Sequence, residues 1–341
     1  MKRFIFALPL LLAYCLTPKS LSAQNEVAFW GQDEAYLMRQ ASHIYTLIDE
    51  ALTEYPPTTG APTSRRLALY GLDAMLHEVK YDASEPLFNF VSSRINKVIE
   101  DMNTPVKKGM RIYKLYNDGF VARTKSATIA FDIYRGPNNK GRRLLTDEQA
   151  KAIVEQCDIL FLSHNHGDHV DRFVVDRFIE AGKPVIAATN ILSNVKGVTH
   201  YRSESEILEK SVVLKNSKEL QFKIYPGHQG ADLICNVYAV TTPEGLTVAH
   251  TGDQYLKEDF EWIANVKNQK PRIDALLINC WSLDITEAIK GFNPRYVITG
   301  HENEMGHTID HREAFWLTFD KLKSIEHDYV VMAWGEWFSF K

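Results

Sequence analysis

The sequence predicts an α/β protein made of two mixed sheets packed face to face, with helices outside. Three observations carry this expectation. Short apolar runs such as Ile159–Leu162, Pro184–Ala188 and Tyr296–Thr299 read as buried strands, and helix-period segments lie between them. The early runs Arg111–Tyr116, Phe120–Arg123 and Ala127–Ile133 form a meander with tight turns at Asn117-Asp118-Gly119 and Thr124-Lys125-Ser126, and such hairpins do not suit a doubly wound parallel sheet. Several apolar runs end in His/Asp clusters, as strands do when their C-terminal ends open into a site.

A chain of 341 residues with 45% hydrophobic and 24% charged content can bury a sizeable globular core. Residues 1–23 are expected to be a secretory signal peptide. Lys2 and Arg3 form its charged start, Phe4–Leu16 an apolar stretch too short for a spanning helix, and Ser20-Leu21-Ser22-Ala23 a small-residue exit. Bulky Tyr14 before Cys15 speaks against lipidation. The protein is therefore expected to be exported, periplasmic or secreted, with no transmembrane segment. The formal charge of −4 becomes −7 without Lys2, Arg3 and Lys19, which speaks against general nucleic-acid binding. Cys157, Cys235 and Cys280 form no C-x-x-C pair and no disulfide framework, so buried packing is their expected role.

Asp33 to about Glu54 carries Leu37, Ala41, Ile44, Ile48 and Ala51 at helical spacing and stops at Pro56-Pro57. Thr63 is expected to cap a second helix carrying Leu67, Leu72, Met75 and Val79. Ser84 with Pro86 opens a third, with Leu87, Val91, Ile95, Val98 and Met102 on one face. Residues 24–108 thus read as a helical region without a site signature, expected to cap a catalytic domain spanning 109–341; His43 and His77 are given no role. Thr146-Asp147-Glu148-Gln149 is a capping box for a helix to about Gln156, and a helix over 170–181 follows the central strand 158–163.

The richest stretch is Ser163-His164-Asn165-His166-Gly167-Asp168-His169. Imidazoles suit borderline divalent metals, and a carboxylate adds a hard oxygen ligand. From an extended loop these side chains cannot all aim at one ion. They can serve two if His164 and His166 face one and Asp168 and His169 the other. Gly167 gives the loop a residue free to take positive φ. Further candidates also follow apolar strands: His228 in Pro226-Gly227-His228-Gln229-Gly230, Asp253 in Thr251-Gly252-Asp253, and His301 after Gly300.

The H-x-H-x-D-H string resembles the signature of the metallo-β-lactamase superfamily, and His228, Asp253 and His301 follow in the order that superfamily requires. The resemblance runs from about residue 109 to the C-terminus. It implies a four-layer αββα metallo-β-lactamase sandwich and two divalent metal ions, zinc favoured by the His-rich set and manganese or iron compatible with it. It puts His164, His166 and His228 on one ion and Asp168, His169 and His301 on the other, with Asp253 bridging and Asp132 steadying the loop from behind. The implied chemistry is attack by a metal-bridging hydroxide on an ester-like bond, phosphodiester or lactone, of a small-molecule or lipid-derived substrate.

Asp168 is also expected to relay the proton of the attacking water, and His307 to act as general acid or substrate donor. Glu304 is a weaker candidate, and His250 is expected behind the site or in the core. Tyr225, Trp281 and Trp334 are candidate pocket aromatics, while His311 and His327 offer only surface placement. Tyr116–Ile133 and Ile298–His301 look closest to the ascorbate-6-phosphate-lactonase-like branch, with a more distant likeness to the phospholipase D that hydrolyses N-acyl-phosphatidylethanolamine. The signal peptide and helical region depart from the bacterial lactonase pattern. Serine-hydrolase and P-loop chemistry lack their motifs. The alternative is a metal-stabilised binding protein of the same fold without turnover.

Overall fold

The computed structural model describes residues 33–78 and 84–341. The expected signal peptide, Cys15 and Val79 lie outside the described residues. Among the described residues three helices come first: α1 (Asp33–Glu54), α2 (Thr63–Leu76) and α3 (Glu85–Met102). Thr63 is the first residue of α2 and not its cap; Pro62 holds the cap position in extended conformation, without a side-chain cap bond. Strands β1 (Met110–Lys114), β2 (Phe120–Arg123) and β3 (Thr128–Phe131) form the expected meander. Then come α4 (Asp147–Gln156), β4 (Ile159–Leu162), α5 (Arg172–Glu180), β5 (Val185–Ala188), β6 (Val198–Tyr201), β7 (Leu208–Val213) and β8 (Glu219–Tyr225). The short pair β9 (His228–Gly230) and β10 (Leu233–Ile234) precedes β11 (Val237–Thr241), β12 (Thr247–His250) and α6 (Phe260–Val266). The chain ends with β13 (Ala275–Asn279), α7 (Ile285–Phe292), β14 (Tyr296–Gly300), α8 (Phe315–Leu322), β15 (Asp328–Val330) and β16 (Glu336–Phe340).

One sheet has the order β16-β1-β2-β3-β4-β5-β6 and the other β7-β8-β11-β12-β13-β14-β15. Each crosses from three antiparallel pairings to three parallel ones. The two sheets therefore repeat one pairing pattern that is not visible as a repeat in the residues. Burial on both faces explains the unbroken apolar runs. In β4, Ile159 and Phe161 join the layer between the sheets with Phe131, Phe222 and Tyr238, whereas Leu160 and Leu162 join the helix-facing core with Val175 and Phe178. The result is the expected four-layer sandwich.

Local signals set the helix ends near the site. The Thr146 side chain accepts from the Gln149 N–H and the Gln149 side chain returns the bond, so the capping box opens α4. Helix α5 starts at Arg172, two residues later than the spacing suggested, because Asp171 accepts from the Phe173 N–H and is gripped by Arg135. The first three helices are stapled to the end of the chain. Fully buried Arg65 of α2 donates to both oxygens of Glu336 in β16 and to the Tyr55 and Val331 carbonyls. Arg94 of α3 donates to the Trp334 carbonyl and sits 3.2 Å from Glu336. A buried carboxylate shared by two guanidiniums fixes geometry more than it adds stability. Among the described residues no helix is long and apolar enough to cross a membrane. Cys157, Cys235 and Cys280 are unbridged and buried.

Candidate metal centre

The parallel strands deliver the cluster from their C-terminal ends. Asp132 follows β3, the His164–His169 loop follows β4, Asp253 follows β12 and His301 follows β14. β3 and β4 are neighbours in one sheet and β12 and β14 flank β13 in the other, so residues up to 169 positions apart meet at one edge of the two facing sheets. Two close approaches there require glycine. A Cβ on Gly252, which takes φ +49, would overlap Ser163, and a Cβ on Gly300 would overlap the Asp118 carboxylate. Gly167 does not use the freedom expected of it. The left-handed region is instead occupied by Asp132 (φ 42), His301 (φ 70) and Asn303 (φ 58), a strained choice for residues with a Cβ.

His164, His166 and Asp253 offer ligand atoms within 4.8 Å of one another, and so do Asp168, His169 and His301. Asp253 stands between the two groups. Its Oδ2 lies 3.4 Å from His164 Nε2, and its Oδ1 lies 3.2 Å from His169 Nε2 and 3.6 Å from His301 Nε2. Asp168 Oδ2 accepts from His301 Nε2 at 3.1 Å and from Asn117 Nδ2 at 3.1 Å. Behind this layer Asp132 accepts from the Ser163 N–H and O–H and from His169 Nδ1 at 2.8 Å. Because the Ser163 hydroxyl donates to Asp132, its oxygen accepts from His164 Nδ1 at 3.0 Å. This network puts the ring protons of His164 and His169 on Nδ1 and bares both Nε2 atoms toward Asp253. Asp132 therefore steadies the loop from behind, by holding two imidazoles in one tautomer.

Those two Nε2 atoms and Nδ1 of His301 are buried without a hydrogen-bond partner. Burial disfavours charge on His301, but Asp253 and Asp168 outweigh it and raise the imidazole to about 9; His169 is raised for the same reason. Burial likewise opposes ionisation of Asp168 and Asp253, yet the surrounding imidazoles hold both below the ordinary carboxylate range. Carboxylates that keep their charge, with the unpartnered Nε2 atoms of His164 and His169 facing them, make a site that favours positive charge. A divalent cation fits this donor set.

His228 belongs to neither close group. Its N–H and Nδ1 both meet Asp259, at 2.7 and 3.0 Å, which leaves Nε2 as the free ring nitrogen. His307 is exposed, with its ring 5.5 Å from that of His301. His250 is buried behind the site, 3.1 Å from Asp118 and stacked on Phe131. Of the three candidate pocket aromatics, Trp281 lines a cavity beside the cluster. Tyr225 stacks on Trp262 and Trp334 packs on Tyr116, so those two serve the core. Glu304 is buried and holds the post-β14 loop, accepting from the Tyr116 hydroxyl and the His307 N–H. His77 does have a role. It donates to Asn303 Oδ1 while Asn303 donates to Asp73, tying α2 to the loop that carries His301.

Several supporting residues were not anticipated. Gln229 and Asn279 each donate a side-chain amide N–H to Asp253. Asn279 ends the apolar run Ala275–Ile278, a signal of the kind that found Asp253. Asn117 looked like a turn former and also reaches Asp168, while nothing local marks Asp259 as the partner of His228. His311, expected only at the surface, is exposed and also lines the cavity.

No family model and no curated protein matches the chain. Among solved structures, Igni18, a metallo hydrolase from Ignicoccus hospitalis, is similar with a TM-score of 0.52 at 19% identity, over 69% of this chain and 99% of that one. An isothiocyanate hydrolase from Delia radicum gut bacteria gives 0.48 at 14% identity, over 68% of this chain and 99% of that one. A Thermotoga maritima protein of the metallo-beta-lactamase superfamily gives 0.38 at 17% identity, over 65% of this chain and 98% of that one. Likeness at such identities is a likeness of fold. With the sheet order, the likeness to Igni18 is one of fold: a four-layer sandwich of two mixed sheets with helices outside and a His/Asp cluster at the strand ends of this chain.

Proposed function

We propose that the chain is an exported metal-dependent hydrolase with a binuclear centre, cleaving an ester-like bond, either a phosphodiester or a lactone. One observation carries the reading: the buried, unpartnered Nε2 atoms of His164 and His169, together with Nε2 of His301, converge with the Asp168 and Asp253 carboxylates beside an open cavity of about 570 Å³. In this reading His164, His166 and His228 hold one cation and Asp168, His169 and His301 the other, with Asp253 shared. Zinc suits the set best. Residues 24–108 act as a cap on the hydrolase domain 109–341. Two divalent cations held by these residues would lower the pKa of the attacking water and offset negative charge developing on the substrate.

The protein's own groups do the positioning and proton handling. The Asp168 side chain is 19% exposed against 8% for Asp253. Its Oδ2 is engaged by His301 and Asn117, which leaves Oδ1 to accept the proton of the attacking water. Gln229 and Asn279 stop Asp253 from turning away. His307 stands at the cavity rim and donates a proton to the departing oxygen.

Loading the protein with zinc, manganese or iron should give two bound equivalents. The loaded protein should hydrolyse bis(p-nitrophenyl) phosphate or γ-butyrolactone, and Asp168→Ala should abolish that turnover with the fold retained by circular dichroism. Fewer than two equivalents refutes the binuclear centre. Two equivalents with no turnover of either compound favours the metal-stabilised binding protein.

A further inference from the structure

We infer that the substrate is an uncharged carbonyl ester or lactone bearing a flat apolar group, and not a phosphodiester; this rests on the hydrolase reading above. Asp253 and His301 belong to the cavity's lining, and Tyr255, Trp281, His307 and His311 supply its rings. The rings of Trp281 and His311 lie nearly parallel, 10° apart with centroids 6.2 Å apart, and Tyr255 is 44% exposed. Tyr255 and His311 are exposed and Trp281 is half-buried, and flat rings around a concave site offer stacking area to a ligand.

Among the described residues, no lysine or arginine lines this wall. Arg312, in the loop that supplies His307 and His311, is buried and donates to the Leu76, His307 and Met305 carbonyls. A cationic cavity does exist, lined by Lys107, Lys108, Arg111, Arg295 and Lys341. Arg295 precedes β14 and His301 follows it, so that cavity lies at the opposite end of the strand. A phosphodiester would have only the cations themselves to meet its permanent negative charge here, without the Arg forks or Lys ammoniums that hold the remaining oxygens in many phosphate sites. A neutral ester needs no such partner until charge develops in the reaction.

The ring wall is also held in register with the cluster. The Trp281 N–H donates to Asn279 Oδ1 at 2.7 Å, and Asn279 Nδ2 donates to Asp253. One amide thus fixes the backbone of Trp281 relative to the carboxylate shared by both groups. In the reaction, water adds its oxygen to the carbonyl carbon and the acyl C–O bond breaks. The electron pair leaves on the departing oxygen, which takes a proton. The products are a carboxylate, an alcohol and one released proton.

The metal-loaded full chain would be assayed with dihydrocoumarin, γ-butyrolactone and bis(p-nitrophenyl) phosphate, and titrated calorimetrically with a neutral aryl lactam that resists turnover. Dihydrocoumarin should have the highest kcat/KM of the three. Trp281→Ala should cut its advantage over γ-butyrolactone, and the lactam affinity, about tenfold, with Trp281→Phe restoring most of both. Preference for the diester, or a lactam affinity indifferent to Trp281→Ala, overturns this inference and leaves the hydrolase reading intact. Lactam binding that depends on Trp281, without turnover of any of the three compounds, overturns the hydrolase reading and upholds the assignment of the pocket.

Discussion

Replacing Asp132 separates the two things this residue does, which are to hold the loop and to set a tautomer. It has no exposed surface, and it accepts three hydrogen bonds, from the Ser163 N–H, the Ser163 hydroxyl and His169 Nδ1. Asp132→Ala strands these donors where water cannot replace the carboxylate. At 1 kcal/mol or more for each buried donor, the loss is about 3–5 kcal/mol. Asp132→Asn should behave differently. Its amide oxygen can still accept from the Ser163 N–H, while its NH2 turns toward His169. The His169 ring then satisfies Nδ1 best as an acceptor, which moves its proton to Nε2, the atom aimed at Asp253. The asparagine variant should therefore cost only about 1–2 kcal/mol in urea unfolding. Its metal affinity should nevertheless fall about 10–100-fold in competition with a chromophoric chelator. An asparagine variant that binds metal as tightly as wild type would refute the tautomer argument, whatever its stability.

Gly300→Ala should push the start of the His301 loop off the Asp118 carboxylate and the Phe120 ring, costing about 1–3 kcal/mol in thermal or urea unfolding; the same substitution at unobstructed Gly167 should cost far less. Asp73 gives a pH signature. It is 4% exposed and accepts from Asn303 and from the Phe315 and Trp316 N–H groups that open α8, whose own cap residue, Ala314, supplies no side-chain bond. Burial outweighs these donors and pushes its carboxyl up to about 7. A carboxyl raised in the folded state contributes stability below about pH 4 that is lost as pH climbs through 7. Wild type should therefore lose stability relative to Asp73→Asn across that window, by about 4 kcal/mol at most. A difference that stays flat, or that favours wild type as pH rises, contradicts the argument.

The fold class and the candidate ligands were legible because both are written locally. A strand buried on two faces is an apolar run, as in Ile159–Leu162, and a parallel strand that opens into a site is such a run followed at once by polar residues, as at His164, Asp253 and His301. The capping box at Thr146 and the turn at Asn117 are equally short-range signals. Partnership across the chain was not legible. The bond from Asn303 to Asp73 spans 230 residues, Asp259 lies 31 residues past His228, and Asn279 lies 26 past Asp253. A hydrogen-bond partner is chosen by proximity after folding and needs no mark on the residues between. For the same reason Trp334 and Trp281 looked alike as aromatics near strand ends, and only packing sent one into the core and the other to the cavity. The sequence by itself determined which chemistry gathers at the strand ends; the tertiary structure decided which side chains orient it, because orientation depends on neighbours that only the folded chain brings together.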